Sequence, residues 1–312
     1  MNGIITLWCQ MGRKQKKLLQ LILASIVLFL GLQETAAASH PARAIMELYD
    51  SDLVDRNTIE PYIVSVLALN EVENNRNLKQ VEKFIDWYFS RLNYPDRFGL
   101  TGTIYIRTLH GGLEQATHKY DSVDGYAGLF LHLLQQYVNK TGDVAILHNN
   151  WAKIEDIAYL LPLLQDKDGL TRALPDSRIK YLMDNCEAYG GVTAYIALCK
   201  ITGKGNAVYY NKVRDSMAQG IWARLYDAEN KIFDWAVEET YLSKSSWHNA
   251  YPDAFAQLFP IYYDLLTGRP VMKNHLWQQV NSNLAARVSF LPIEQQVIYN
   301  LTKKKLESAV AQ

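Results

Sequence analysis

Apolar residues recur at helical spacing along most of this chain. Ile63, Val66, Leu67, Leu69 and Val72 mark a helix over 58–73, opened by Thr58 with Pro61 in its first turn. Val81, Phe84, Ile85, Tyr88, Phe89 and Leu92 mark a second over 78–92. After the turn at Asn93–Gly99, residues 100–106 alternate as a strand would. Helices are then predicted over 122–139, 144–165, from about 184 to a close at 202, over 207–225, after Asp253 to a close at 267, and over 273–288 and 293–309. Short extended pieces follow the turns at 166–171 and 226–231.

The pattern repeats. Thr-Gly pairs begin at Thr141, Thr202 and Thr267, a spacing of roughly 60–65 residues, longer than common helical-repeat units. Gly just past a helix is the expected C-cap. Each unit reads as a polar loop with an acid, a helix, Thr-Gly, a helix, a turn and a short strand. Stacked units of this kind make an all-α ring of helical hairpins with short extended pieces between repeats. The first helix of each pair lines the inside, and the loops before the inner helices open on one face.

Those loops carry the candidate chemistry. Asp121-Ser122-Val123-Asp124 opens one inner helix, Asp184-Asn185-Cys186-Glu187 the next, and Trp247-His248-Asn249-Ala250-Tyr251-Pro252-Asp253 the third. Two readings stand side by side. Acids and Ser at a helix start cap its free N–H groups and complement its dipole, and Asp184 with Glu187 has the spacing of a capping box. Brought together by the repeat, the same acids form a carboxylate-lined cleft. Asp124 and Glu187 are then the candidate acid/base pair, because glycoside hydrolysis needs one protonated and one ionised carboxyl. Asp121, Asp184 and Asp253 are candidates to orient water or sugar hydroxyls. Tyr126, Trp247, His248 and Tyr251 are candidate substrate-binding residues. The helix dipole lowers a carboxyl pKa and a neighbouring acid raises it, and the sequence leaves that contest open.

Composition narrows the classes. The 312-residue chain has a formal net charge of zero, which argues against a nucleic-acid partner. Its 20 Tyr and 7 Trp suit a sugar cleft as well as an ordinary core. Arg13, Lys14, Lys16 and Lys17, the apolar run Leu18–Leu32 and Ala36-Ala37-Ala38 read as an export signal over residues 1–38. Met11 offers an alternative start, which would make residues 1–10 an extension. The expectation is an exported, secreted or cell-envelope protein, tethered to the membrane only if the signal stays uncleaved, with residues 39–312 as one domain. Cys186 and Cys199 fall on one helix about 20 Å apart and cannot bridge without breaking it. No Cys/His spacing suggests a metal, and Ser245-Ser246 lacks the context of an acyl-transfer nucleophile.

Four segments carry a resemblance: Trp87-Tyr88-Phe89 with Arg91-Leu92-Asn93, Gly99 to Tyr105, Tyr120 to Asp124, and Lys180 to Glu187. Over about residues 58–270 the chain resembles the six-hairpin, or (α/α)-toroid, glycosidase-like superfamily, in particular an uncharacterised bacterial group within it. The resemblance implies carbohydrate chemistry, usually inverting hydrolysis without metal or organic cofactor, although lyases and epimerases share the toroid. Two departures accompany it. Eight or nine helices are predicted where a six-hairpin ring has twelve, so the ring falls short of six hairpins and the active face is expected to lack a wall. Ile106-Arg107 also stands where relatives tend to have an acid after the Tyr. The expected function is hydrolysis of a bacterial extracellular or cell-surface polysaccharide. The alternative is a non-catalytic carbohydrate-binding or assembly protein of a polysaccharide export system. A lyase fits less well, because an anionic substrate would meet an acidic cleft.

Overall fold

The computed structural model describes residues 40–49, 55, 57–110 and 113–310. The export signal expected over residues 1–38 lies outside them. Among the described residues no helix is long and apolar enough to cross a membrane.

In chain order the helices are α1 (Pro41–Met46), α2 (Pro61–Glu73), α3 (Leu78–Ser90), α4 (Asp124–Thr141), α5 (Ala145–Leu164), α6 (Leu182–Thr202), α7 (Ala207–Arg224), α8 (Leu258–Tyr262), α9 (Pro270–Leu284) and α10 (Ile293–Val310). The strands are β1 (Thr58–Ile59), β2 (Arg107–His110), β3 (Leu113–Ala116), β4 (Ile179–Tyr181), β5 (Tyr226–Asp227), β6 (Ile232–Phe233), β7 (Ala236–Glu238) and β8 (Tyr241–Ser243). They form three small antiparallel sheets, β1-β2-β3, β4-β7-β8 and β5-β6, on the connections between helices.

The even-numbered helices make the inner layer. α4 packs between α2 and α6, α6 reaches α8, α8 meets α10, and α10 returns to α2. Odd-numbered α3, α5, α7 and α9 cover them from outside. Burial follows position. Inner helix α4 hides Leu129, Phe130, Leu131, Leu133 and Leu134, which lie all round its axis, whereas outer helix α3 buries Val81, Phe84, Ile85 and Tyr88 and exposes Lys79, Glu82 and Lys83. The described residues hold ten α-helices, fewer than twelve. The inner ring nevertheless closes, because α10 fills the gap between α8 and α2, so the active face does not lose its wall.

Two Thr-Gly pairs end helices as the repeat requires. Gly142 and Gly203 adopt φ of 71° and 70°, and their N–H groups donate to Val138 O and Cys199 O, each at 2.8 Å. The third copy differs. A π-turn over Ala250–Ala254 with extended Tyr251 and a short α8 replace the long inner helix, and the chain turns from Tyr263 to Gly268. Cys186 and Cys199 are free, buried thiols on α6. Trp151 of α5 is core, stacked on Tyr195 at 5.8 Å.

The strand expected at 100–106 is absent, and pairing begins at Arg107. The reason is Asp96, buried at the turn before it. One carboxylate oxygen accepts from the N–H of Phe98 and of Leu100, both at 2.8 Å, and the other from Thr103 Oγ1 at 3.0 Å and Tyr120 Oη at 2.8 Å. The loop wraps round this side chain instead of extending into a ladder. Arg107 itself pairs with Glu114, which also takes Arg91. Asp96→Ala removes the acceptor of four donors and is expected to cost about 2–4 kcal/mol. Chemical denaturation at neutral pH measures it.

Candidate active site at the inner-helix starts

α4 and α6 cross in close contact, and glycine makes it possible. A Cβ built on Gly191 would lie 2.4 Å from Gly128 Cα, and one on Gly128 would lie 2.4 Å from Glu187 O. No larger residue fits either place without forcing the helices apart. The contact places Asp124 of α4 against Asp184 and Glu187 of α6. Gly125 completes it: a Cβ there would meet Ser122 Oγ at 2.6 Å, Glu187 Oε2 at 2.9 Å and Asp184 Cγ at 3.5 Å.

None of these acids occupies an N-cap position, and Asp124 alone accepts a first-turn N–H, that of Gly125. The residues at the N-caps are Val123 and Tyr181, neither with a side-chain cap bond. Asp124 is fully buried in the first turn. It accepts from Gly125 N at 2.9 Å and from Thr171 Oγ1 at 2.6 Å. Thr171 is held in turn by Asn185, whose Oδ1 accepts from Thr171 N at 2.8 Å. Glu187 is 1% exposed, in the second turn of α6. Its Oε1 accepts from Tyr62 Oη of α2 at 2.8 Å, and its Oε2 is buried with no hydrogen-bond partner. Asp184 is half-buried, with Oδ2 likewise unpartnered.

Burial dominates the electrostatics here. It pushes the Asp124 carboxyl up to about 7 from an ordinary 3.8, against the opposing bond from Thr171. It also pushes Asp184 well above the carboxylate range, with Asp124, Glu187 and Asp121 adding like-charge repulsion. Glu187 is raised well above its usual value by burial, with the Tyr62 bond opposing and Asp124 and Asp121 reinforcing.

Above this cluster lies a pocket of about 100 Å³ between the starts of α2, α4, α6 and α10 and the π-turn. Tyr62, Asp121, Ser122, Asp184, Tyr251 and Glu294 are among its walls. Asp121 and Tyr251 are exposed there. A larger hollow of about 480 Å³, lined by Tyr226, Lys231, Arg269 and His275, contains none of the acids and is not the candidate site. Among the described residues no group of three or more His, Cys, Asp and Glu is arranged to hold a metal ion.

Of the residues singled out from sequence, Asp121, Asp184 and Tyr251 line the pocket, and Asp124 and Glu187 lie buried with Asp184. Tyr126 is buried beside the pocket. It stacks on Tyr62 at 5.9 Å and donates to Glu60 Oε1 at 3.0 Å. Asp253 does not converge on the cleft. Its carboxylate is buried in its own loop, accepting from Ser246 N at 2.7 Å and Asn249 Nδ2 at 3.3 Å. Trp247 packs half-buried against the core and His248 is exposed, and neither is in the pocket wall. Tyr62 and Glu294 were not anticipated. Glu294 had a usable signal, since it too is an acid in the first turn of an inner helix. Tyr62 and Thr171 had none, because their roles depend on residues more than 40 positions away.

Two outcomes follow from this geometry. Gly191→Ala is expected to lower stability by roughly 1–3 kcal/mol through overpacking against α4, measured by denaturant unfolding. For pH, the native state keeps a proton on Asp124 that the unfolded chain releases. Stability from this group is therefore full below about pH 4 and falls as pH rises towards 7. Asp124→Asn should flatten that part of the stability profile, measured by melting temperature against pH.

No family model matches the sequence, and no curated protein is similar to it by sequence. Solved structures do share the fold. A rhamnosidase from Klebsiella oxytoca with rhamnose bound superposes with a TM-score of 0.57 at 12% identity, over 89% of this chain and 54% of that one. A GH78 family rhamnosidase of Bacillus sp. GL1 gives 0.57 at 12% identity, over 86% of this chain and 28% of that one. This chain thus spans about half and about a quarter of their lengths. A structure described as a wild-type glycosidase gives 0.52 at 10% identity, over 86% of this chain and 95% of that one. The chain has an (α/α)-toroid fold, shared with these rhamnosidases and this glycosidase.

Proposed function

We propose that this protein is an exported glycoside hydrolase acting on a bacterial extracellular or cell-surface polysaccharide, by inversion. The observation that carries the reading is the carboxyl of Asp184. It stands in the pocket wall, and burial with three neighbouring acids raises it well above the carboxylate range. A carboxyl raised in this way is suited to carry the proton that a general acid gives up. The fold shared with a rhamnosidase and a glycosidase supports carbohydrate chemistry.

The reading assigns the reacting pair by access. Asp124 and Glu187, the pair suggested by spacing alone, are too deeply buried to meet a glycosidic oxygen. Burial, with Asp124 and Asp121 beside it, favours the proton on Asp184. Asp184 gives its proton to the leaving oxygen as the glycosidic C–O bond breaks. Asp121, exposed in the pocket wall, takes a proton from the water that adds to the anomeric carbon. Inversion requires the two carboxyls to stand about 6.5–9.5 Å apart in the complex, leaving room for that water. Tyr251 and Tyr62 offer flat rings to the sugar. The pocket is below the ~300–1,000 Å³ of common ligand sites, which suits one terminal sugar unit rather than a threaded chain.

The small pocket also suits the second reading, a carbohydrate-binding or assembly protein without turnover. Reducing-end release from bacterial exopolysaccharides separates the two. Hydrolysis predicts that Asp184→Asn and Asp121→Asn each lower kcat by about 10²–10⁴-fold while sugar binding survives. Full turnover in Asp184→Asn contradicts the assignment, and binding without turnover in the wild type favours the second reading.

A further inference from the structure

The hollow of about 480 Å³ lies between the β5–β6 hairpin and the start of α9. Its volume falls within the ~300–1,000 Å³ of common ligand sites. Its wall reverses the charge of the acid pocket. Lys231, Arg269 and His275 line it, and among the described residues no Asp or Glu does. Tyr226, Val271 and Met272 give it an aromatic and apolar side. The acid nearest in sequence, Asp227, is turned to its own loop. Its carboxylate accepts from Glu229 N at 2.9 Å, Asn230 N at 3.1 Å and Asn230 Nδ2 at 2.8 Å.

Two of the cations are placed by features other than ion pairing. The Arg269 guanidinium lies over the Trp222 ring, 4.2 Å from its centroid. Stacking on an aromatic face leaves the edge of the guanidinium, with its fork of N–H donors, free for an oxyanion. Among the described residues it pairs with no acid. Its charge reaches the aromatic wall: burial pushes the Tyr226 hydroxyl up, and Arg269 opposes that push. Lys231 stands in the turn of the β5–β6 hairpin with φ of 53°. That left-handed place ordinarily takes glycine or asparagine. A lysine gives the turn no conformational advantage, yet one stands there and lines the hollow.

The hollow therefore offers an oriented guanidinium fork, a second cation and an imidazole beside an aromatic and apolar wall. An oxyanion supplies the charge that this wall lacks. A bare inorganic ion leaves the apolar side uncovered, whereas a sugar ring gives Tyr226, Val271 and Met272 a face to cover. The fold shared with a rhamnosidase and a glycosidase favours a sugar over an acidic peptide.

We infer that this hollow is a second carbohydrate site, taking a sugar unit that bears a carboxylate or a phosphate, with Arg269 and Lys231 pairing the negative group and Tyr226 facing the ring. This rests on the carbohydrate reading above and adds the charge class of the polysaccharide. Acidic units of the polymer are held here, and not in the pocket whose wall contains Asp121, Asp184 and Glu294.

Calorimetric titration of the intact protein tests the inference, with trigalacturonate and its methyl ester as one matched pair and glucose 6-phosphate and glucose as the other. The methyl ester removes the charge and keeps the rings. The expected result is binding about tenfold tighter for the charged member of at least one pair, weakening as NaCl is raised. The pair that shows it names the oxyanion. Arg269→Gln should lower that preference about tenfold. Lys231→Gly should lower it about threefold and keep the melting temperature, because glycine adopts this φ freely. Equal binding within both pairs, no binding of any of these sugars, or a preference untouched by both substitutions overturns the inference. So does a glutamate tripeptide or inorganic phosphate bound as tightly as the acidic sugar. Reducing-end release from neutral and acidic polysaccharides is scored separately. Acidic-sugar binding that Arg269→Gln removes, without cleavage, removes the hydrolase reading and leaves this one. Cleavage without any charge preference in binding does the reverse.

Discussion

Everything at the candidate site depends on how closely α4 and α6 approach. Gly128 and Gly191 meet backbone to backbone, and neither position tolerates a Cβ without movement. Helix axes ordinarily cross 8–10 Å apart, with side chains between them. Removing those side chains brings the first turns of the two helices together, and with them Asp124, Asp184 and Glu187. The remaining inner helices complete the enclosure. α2 supplies Tyr62, which ties Glu187 from the side, and α10 supplies Glu294 and closes the ring. A chain with fewer hairpins than a full six therefore still builds a walled pocket.

That geometry decides an electrostatic contest. A carboxyl in the first turn of a helix feels the positive end of the dipole, which favours ionisation. Here the acids are also buried and crowded against one another. Desolvation acts in the opposite direction and prevails for all three, with like-charge repulsion adding to it at Asp184 and Glu187. The hydrogen bonds from Thr171 and Tyr62 moderate the effect without reversing it. The outcome is a set of acids that hold protons where isolated carboxyls would not, with only Asp184 placed to use one at the pocket.

Much of the ring was legible in the sequence. Helix periodicity, Gly142 and Gly203 as C-caps and the recurring acid-headed loops each reported local physics, and local physics survives folding. The site was legible only in part. Asp121, Asp184 and Tyr251 came from the repeat. Asp253 followed the same pattern but is consumed by its own loop, because the extended Tyr251 and the π-turn redirect the chain there. The strand expected at 100–106 failed for a similar reason: the Asp96 carboxylate competes for backbone N–H groups that a ladder would use. Tyr62 and Thr171 depend on long-range closure, which alternation and spacing do not encode.

The central claim is that the α4–α6 contact holds protonated carboxyls beneath the pocket at neutral pH. Carbon-13 NMR of side-chain carboxyls, followed through pH, measures it most directly, with Asp184→Asn and Glu187→Gln to assign the signals. The account predicts that the Asp184 and Glu187 carboxyls are protonated at pH 7 and titrate above the exposed acids of the protein. Both carboxyls ionising in the ordinary range near pH 4 would contradict it.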